Sequence, residues 1–423
     1  MHRVVVTGLG VVAPNGANVS DFEASLRQGK SGIRFHPRMQ ELDLQCQVAG
    51  QPQLDAGRVS ETFGSAKLRA ANSAMLYAGL AAIECWRDAG FCYDSSGRSD
   101  VDWDTGAFVG TGVGGMDTIA ETLVPMVNRG KAMRMGSTLV EQFMSSAVSA
   151  FVGGLLGLGG EVSTVSSACA TGTEALAQAF KCLRSGHACR MLAGGAEGAS
   201  VYTWAAFDAM RVCCRKFNHD PERASRPLSC TASGFVPAAG AGMIMLETLD
   251  SALNRGARIY AEILGSAATC GGQRGGGTIT AGNSAGMRRC MQLALTEAQL
   301  EMSSVDYVNG HLTATAADVK EVEAIMAALN ISQDSFPWLN STKSMIGHSL
   351  GASGAIESVA TVVQLDRGFV HPSLNTEDLQ PAVVPLRARI PQSEVRTPLS
   401  TAMKVSFGFG DVNACVIFRK WAA

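Results

Sequence analysis

The stretch VSTVSSACATGTEALAQAFKCLR, residues 162–184, does more than any other to limit what this chain can fold into. β-Branched residues (Val162, Thr164, Val165) run into a cluster of small side chains from Ser166 to Thr173, and Leu176, Ala179, Phe180 and Leu183 then recur at helical spacing. The pattern is strand, tight turn, helix, a unit of layered α/β proteins. Cys169 falls in the turn, where unpaired N–H groups and the positive end of the helix dipole favour a thiolate. Small neighbours leave room for a substrate. The chain has 12 cysteines, most of which must be structural, so this window alone leaves Cys169 open to two readings, a buried structural thiol or a nucleophile.

Strands and helices alternate along the rest of the chain. MHRVVVTGLGVVAP reads as a first buried strand, too short and too β-branched for a signal peptide. Helices are expected over residues 20–29, 73–90 and 285–298, and strands over 105–110, 190–195, 234–247, 259–265 and 304–309. This predicts an α/β architecture with helices on both faces of its sheets. The best place for a change of unit is residues 251–255, and the glycine run at 271–277 reads as a mobile loop.

Composition narrows the function classes. With 46% hydrophobic and 17% charged residues the chain is globular, and a net charge of −2 gives no bulk attraction to nucleic acid or an anionic membrane. A local basic patch could still dock an acidic partner. The longest apolar run, residues 147–160, is too short to span a bilayer, so no membrane span is expected and the protein reads as cytoplasmic. Cysteines without regular spacing imply reduced thiols and no metal site. The GTGVGG turn after the strand at 105–110 superficially matches a dinucleotide loop, but the acidic ribose ligand about 20 residues on is not evident. Its glycines fit a turn passing close to a cavity.

Two further stretches put histidines in small-residue turns. YVNGHLTAT places His311 just past a strand end, and STKSMIGHSLGASGA places Lys343 and His348 ahead of a helix carrying Ala355, Val359, Val362 and Val363. A histidine at a strand end is ordinarily a surface or satisfied core residue. Two of the chain's seven in such turns, with a cysteine at a helix start, point to a shared site. GHSLG also matches a serine-hydrolase elbow formally, but the segment before it is a poor strand and no second motif supplies a base.

The set VSSACATGT, YVNGHLTATAADVKEVEAI, NSTKSMIGHSLGASGA and SFGFGDVNA, in this order, resembles the β-ketoacyl-acyl-carrier-protein synthases of the thiolase-like superfamily, with the nearest likeness to the synthase I type. The resemblance covers nearly the whole chain. It implies a thiolase-like fold of duplicated halves in an α-β-α-β-α arrangement, 1–251 with the cysteine and 252–423 with the histidines, and an obligate dimer. It implies decarboxylative condensation of an acyl thioester with malonyl-carrier protein in fatty-acid or type II polyketide synthesis. No cofactor would be bound, because the carrier brings its own phosphopantetheine.

By the same resemblance Cys169 would hold the acyl group, His311 and His348 would stabilise the enolate, and the N–H groups of Cys169 and Phe409 would form the oxyanion hole. Phe409 would also gate access. Lys343 would pair with Glu321, Thr313 and Thr315 would hold the pantetheine arm, and Val113 and Phe207 would line the acyl tunnel. Arg129, Lys131 and Arg134 would lie near the mouth and dock the acidic carrier protein.

Three departures from the family pattern stand out. The glycine after the first histidine is replaced by Leu312, and Asp411 enters the gate in place of a glycine, where its carboxylate is expected near the oxyanion hole. The charged Asp-x-x-Arg-Asp-Gly-Phe segment reads Ser229 to Phe235. These raise an alternative, a weakly active partner subunit like the chain-length factors that pair with a related ketosynthase, against which the retained Cys169 argues.

Overall fold

The computed structural model describes residues 1–97 and 100–422. Its principal elements, in chain order, are β1 (Val4–Val12), α1 (Val19–Gln28), α2 (Ser73–Asp88), β2 (Thr105–Gly110), α3 (Ala147–Leu156), β3 (Val162–Ser163), α4 (Thr171–Arg184) and β4 (Arg190–Glu197). They continue with β5 (Gly240–Thr248), β6 (Ala261–Cys270), α5 (Ser284–Ala298), β7 (Tyr307–Asn309), α6 (Ala317–Leu329), β8 (Trp338–Asn340), α7 (Ser353–Arg367), β9 (Thr401–Gly408) and β10 (Val412–Lys420).

The strand order β8-β7-β9-β10-β6-β1-β5-β4-β2-β3 contains the same five-stranded pattern twice. Outward from the β1–β6 junction each half has two antiparallel pairings and then two parallel ones: β1–β5, β5–β4, β4–β2, β2–β3 match β6–β10, β10–β9, β9–β7, β7–β8. The helices repeat with them. α2, α3 and α4 precede β2, β3 and β4 as α5, α6 and α7 precede β7, β8 and β9. The chain is a duplicated thiolase-like fold.

Side-chain alternation builds the layers. In β5, Ile244 and Leu246 enter the central core while Met243 and Met245 enter the outer core beside α2. In β10, Val416 and Phe418 face the centre and Cys415 and Ile417 face the core beside α5 and α6. The central core is filled by α4 (Leu176, Phe180, Leu183) and α7 (Ile356, Val359, Val363), packed on each other between the two halves of the sheet. The layers are thus helix, sheet, helix pair, sheet, helix. Burying a Leu, Ile, Val or Phe side chain contributes about 1.5–3 kcal/mol each, so a charge on the inner face of α4 or α7 would disrupt both halves.

Local signals fixed most boundaries. Asn18 caps α1 through its side chain and Gly29 ends it at φ 64°; Asn72 and Asn283 cap α2 and α5 in the same way. The misses fall where short extended segments meet loops. The expected strand 234–247 begins only at Gly240, because residues 235–238 pair singly with Cys213, the His348 turn and Gly50. The strand expected over 259–265 runs over Ala261–Cys270, and only Tyr307–Asn309 of 304–309 is strand. The 271–277 glycine run is tied to Asp411: Gly271 N–H donates to its carbonyl and Gln273 N–H to its carboxylate at 3.0 Å.

Candidate active site

The duplication brings equivalent positions of the two halves together. Cys169 lies in the 3₁₀ turn Ala168–Ala170 at the start of α4, and His348 precedes the corresponding turn at the start of α7. Ala168 is left-handed at φ 51°, an unusual conformation for a residue with a side chain, and it sets the abrupt turn that presents Cys169. Gly172 of α4 and Gly354 of α7 let the helices meet: a Cβ on Gly172 would lie 2.4 Å from the Ala355 nitrogen, and one on Gly354 2.6 Å from the Thr173 nitrogen. His311 follows β7. All three side chains line one cavity of about 330 Å³, together with Phe207, Phe235, Phe407, Phe409, Thr313 and Thr315.

The Cys169 thiol is pushed up to about 12, chiefly by burial and opposed by the Lys343 charge and the Phe409 backbone. The helix start does not make a resting thiolate, contrary to expectation. Removal from water outweighs the favourable neighbours.

The two imidazoles stand 5.2 Å apart, edge to face. Both are held well below the usual histidine range by burial first and then by the Lys343 charge, so both are neutral. His348 Nδ1 accepts the Leu350 N–H at 3.2 Å and lies 2.8 Å from the Ser353 hydroxyl, which places its proton on Nε2. A neutral N–H donor is thereby presented by a ring whose orientation is fixed.

Below them lies a layer of buried charge. The expected Lys343–Glu321 pair is not formed. Lys343 Nζ meets Glu357 Oε1 at 2.5 Å, while Glu321 accepts the N–H groups of His311 and Leu312 and so fixes the histidine turn. Burial holds the Glu321 carboxyl up, and among the described residues no ion pair forms with it. Asp318 supports the same turn, accepting the N–H groups of Leu228, Thr313 and Ala314. Leu312 turns away from the cavity into the core beside α6, so its bulk does not enter the site.

Asp411 also differs from expectation. It is buried at φ 60°, and its carboxylate accepts the N–H groups of Gln273 and Asn283 at 3.0 and 2.9 Å. It organises the loop leading to α5. Val113 is absent from the cavity lining; its N–H, with those of Gly112 and Gly351, donates to the buried Glu197 carboxylate. A Cβ on Gly112 would lie 2.9 Å from that carboxylate, so the glycine turn closes on Glu197 and not on the substrate space. Phe207 does line the cavity, 6.1 Å from the Phe409 ring. The missing charges of residues 229–235 are replaced from outside: buried Arg226 pairs with Glu377 and Asp378, and the Ser229 and Thr231 hydroxyls bond Asp378. Arg129, Lys131 and Arg134 are exposed, and none makes an ion pair among the described residues.

Glu197, Glu357, Asp318 and Lys404 were not picked out from the sequence. A signal existed for three of them: a lone charge inside an apolar run, as in MLAGGAE, AIESVATVV and TAMKVSFGF.

Among the described residues no helix is long and apolar enough to cross a membrane. Residues 1–252 match the β-ketoacyl synthase N-terminal domain and residues 260–377 its C-terminal domain. The chain is 36% identical over 422 residues to 3-oxoacyl-[acyl-carrier-protein] synthase 1 of Haemophilus influenzae, covering all of both chains. A β-ketoacyl synthase crystal structure from Burkholderia phymatum STM815 superposes with a TM-score of 0.91 at 31% identity, and the ishigamide ketosynthase/chain length factor with 0.88 at 29%, each over the full length of both chains. A duplicated fold that meets at one cysteine and two neutral histidines, matched over its whole length, places this chain in the β-ketoacyl synthase family.

Proposed function

We propose that this chain is a β-ketoacyl-acyl-carrier-protein synthase catalysing decarboxylative condensation of an acyl thioester with malonyl-carrier protein. The observation that carries the reading is the convergence of Cys169, His311 and His348 on one cavity, with both imidazoles neutral. Cys169 sulfur attacks the carbonyl of the acyl-pantetheine thioester, the new C–S bond forms, and the old one breaks with the proton leaving on the pantetheine thiol. Phe409 N–H, in the same cavity lining as the sulfur, and Cys169 N–H would receive the oxyanion. In the second half, malonyl thioester loses carbon dioxide and its enolate oxygen accepts N–H bonds from His311 and His348. The enolate carbon attacks the acyl-cysteine, giving the 3-oxoacyl carrier, and the released thiolate takes a proton from water.

Thr313 and Thr315, whose hydroxyls are 3.0 Å apart in the cavity lining, are assigned to the pantetheine arm. Phe207 is assigned to the acyl end of the cavity, Phe409 to the gate, and Lys343, Glu321 and Asp411 to supporting the turns around the site. The basic segment with Arg129, Lys131 and Arg134 is assigned to an acidic carrier protein, and a second ketosynthase chain, identical or related, completes the assembly. The two halves, 1–251 and 252–423, act as one unit, which the interlocked α4 and α7 support. A cytoplasmic site of action belongs to the same proposal, supported by a chain with 12 cysteines.

The orientation of Asp411 removes the electrostatic ground for a weakened partner subunit. The test is condensation by the purified chain with acyl- and malonyl-carrier protein. The reading requires release of one carbon dioxide per 3-oxoacyl product, and decarboxylation without elongation would contradict it.

A further inference from the structure

Three ionisable side chains are sealed beneath the two histidines. Glu357 of α7 is fully buried and its carboxylate is divided: Oε1 takes Lys343 Nζ at 2.5 Å and Oε2 takes Lys404 Nζ at 2.8 Å. Lys404 is also fully buried and donates to the Val405 carbonyl. One carboxylate cannot neutralise two ammonium groups. An apolar side chain of similar length would pack here without the cost of desolvating a second cation, so stability gives no reason for Lys404.

Its position offers one. On β9, Ala402, Lys404 and Ser406 share the face toward the central helices, and Ser406 Oγ lies 2.8 Å from Thr173 Oγ1, in the first turn after Cys169. Lys404 itself reaches α7, the helix that starts after His348. Its charge acts on both imidazoles, adding to burial and to Lys343 in opposing their protonation. The titratable groups around it are Glu357 from α7, Lys343 from the turn after β8, Glu321 from α6, His311, His348 and Cys415 of β10.

We propose that Lys404 is a positioning residue of the condensation site: sharing Glu357 with Lys343, it fixes a second buried ammonium against the helix that follows His348, and this charge adds to burial and to Lys343 in keeping both imidazoles in the neutral, N–H-donating form further into acid. Protonation of His348 at Nδ1 would break its acceptor bond from Leu350 N–H, so keeping the ring neutral also keeps it oriented. Burial lowers the Lys404 ammonium itself to about 8, in spite of Glu357, so the field is present at neutral pH and is lost as pH rises past that value. The inference rests on the condensation reading of the site.

The test compares wild type with Lys404→Met by side-chain ¹⁵N NMR titration of the histidines and by the pH–rate profile of malonyl-thioester decarboxylation. Methionine preserves length and leaves Glu357 with one partner, Lys343. Two unit charges on the order of 10 Å apart at an effective dielectric near 20 correspond to about one pH unit. His311 and His348 should therefore titrate about one unit higher in the variant and the acid limb should move with them, while the profiles above pH 8 should coincide, because both imidazoles are neutral there with or without the ammonium. Superimposable titrations and profiles would overturn the proposal. So would wild-type imidazoles that titrate at the ordinary histidine value, a measurement that stands even if the variant does not fold. Absence of decarboxylation in the wild type would count against the condensation reading, while the NMR comparison would still decide the role of Lys404.

Discussion

Replacing Asp411 with glycine separates two accounts of the altered gate. Were the carboxylate beside the oxyanion site, its removal would ease ionisation of Cys169 and speed acylation. The structure directs it instead at Gln273 and Asn283, whose N–H groups it accepts at 3.0 and 2.9 Å, and Cys169 answers to burial, Lys343 and the buried glutamates. Asp411→Gly should therefore leave the sulfur alone and loosen the loop. Two bonds to a charged acceptor are worth about 1.5–3 kcal/mol each, and relief of a left-handed residue by glycine returns about 1 kcal/mol. The net loss is about 2–5 kcal/mol, toward the low end because part of the loop can be rehydrated. The assay pairs iodoacetamide labelling of Cys169 against pH with hydrogen exchange across residues 271–283. Superimposable labelling curves with faster exchange at Gln273 and Asn283 are expected. A lower apparent Cys169 pKa in the variant would refute the reasoning.

Other outcomes follow from the site. Cys169→Ala should abolish acyl-enzyme formation and condensation while Cys169→Gln keeps malonyl decarboxylation, measured as carbon dioxide release, because the histidines remain. His311→Ala or His348→Ala should allow acylation and slow decarboxylation by on the order of 10²–10³, the usual cost of one preorganised donor; equal loss of both steps would show the roles to be misassigned. Because burial holds both imidazoles well below the usual range, wild-type decarboxylation should stay level as pH falls through 6.5 and drop only below it. Reversing Arg129 and Lys131 to Glu should raise KM for carrier protein far more than for small thioester mimics, and wild-type kinetics should depend on salt; salt-independent kinetics would make this segment merely a solvated face.

Much of this architecture was legible because it rests on local patterns. The β-branched run before Cys169 and the apolar spacing of Leu176, Ala179, Phe180 and Leu183 specify a strand, turn and buried helix. The small-residue turn at His348 and the apolar spacing of Ala355, Val359, Val362 and Val363 specify the turn and buried helix of its counterpart. Partner choice was not legible. Lys343 had two buried glutamates within reach, and which one it meets depends on the packing of α7 against β9, a long-range consequence that puts Glu357 between two lysines. Leu312 and Asp411 were misjudged for a related reason. A substitution in a motif reveals a change of bulk or charge, whereas the direction of the side chain depends on the turn: Leu312 falls into the α6 core, and the φ of 60° at Asp411 turns its carboxylate to a loop more than 100 residues earlier in sequence. Cys169 shows the limit of a helix-start argument when burial is nearly complete.

The central claim, that Cys169 is the acyl-carrying nucleophile of a condensing site, is tested most directly by intact-protein and peptide mass spectrometry after incubation with acyl-carrier protein. A single adduct of the acyl mass on Cys169, discharged when malonyl-carrier protein is added and absent from Cys169→Ala, is the predicted result. An unmodified Cys169, or an adduct on another of the 12 cysteines that survives malonyl-carrier protein, would contradict the account.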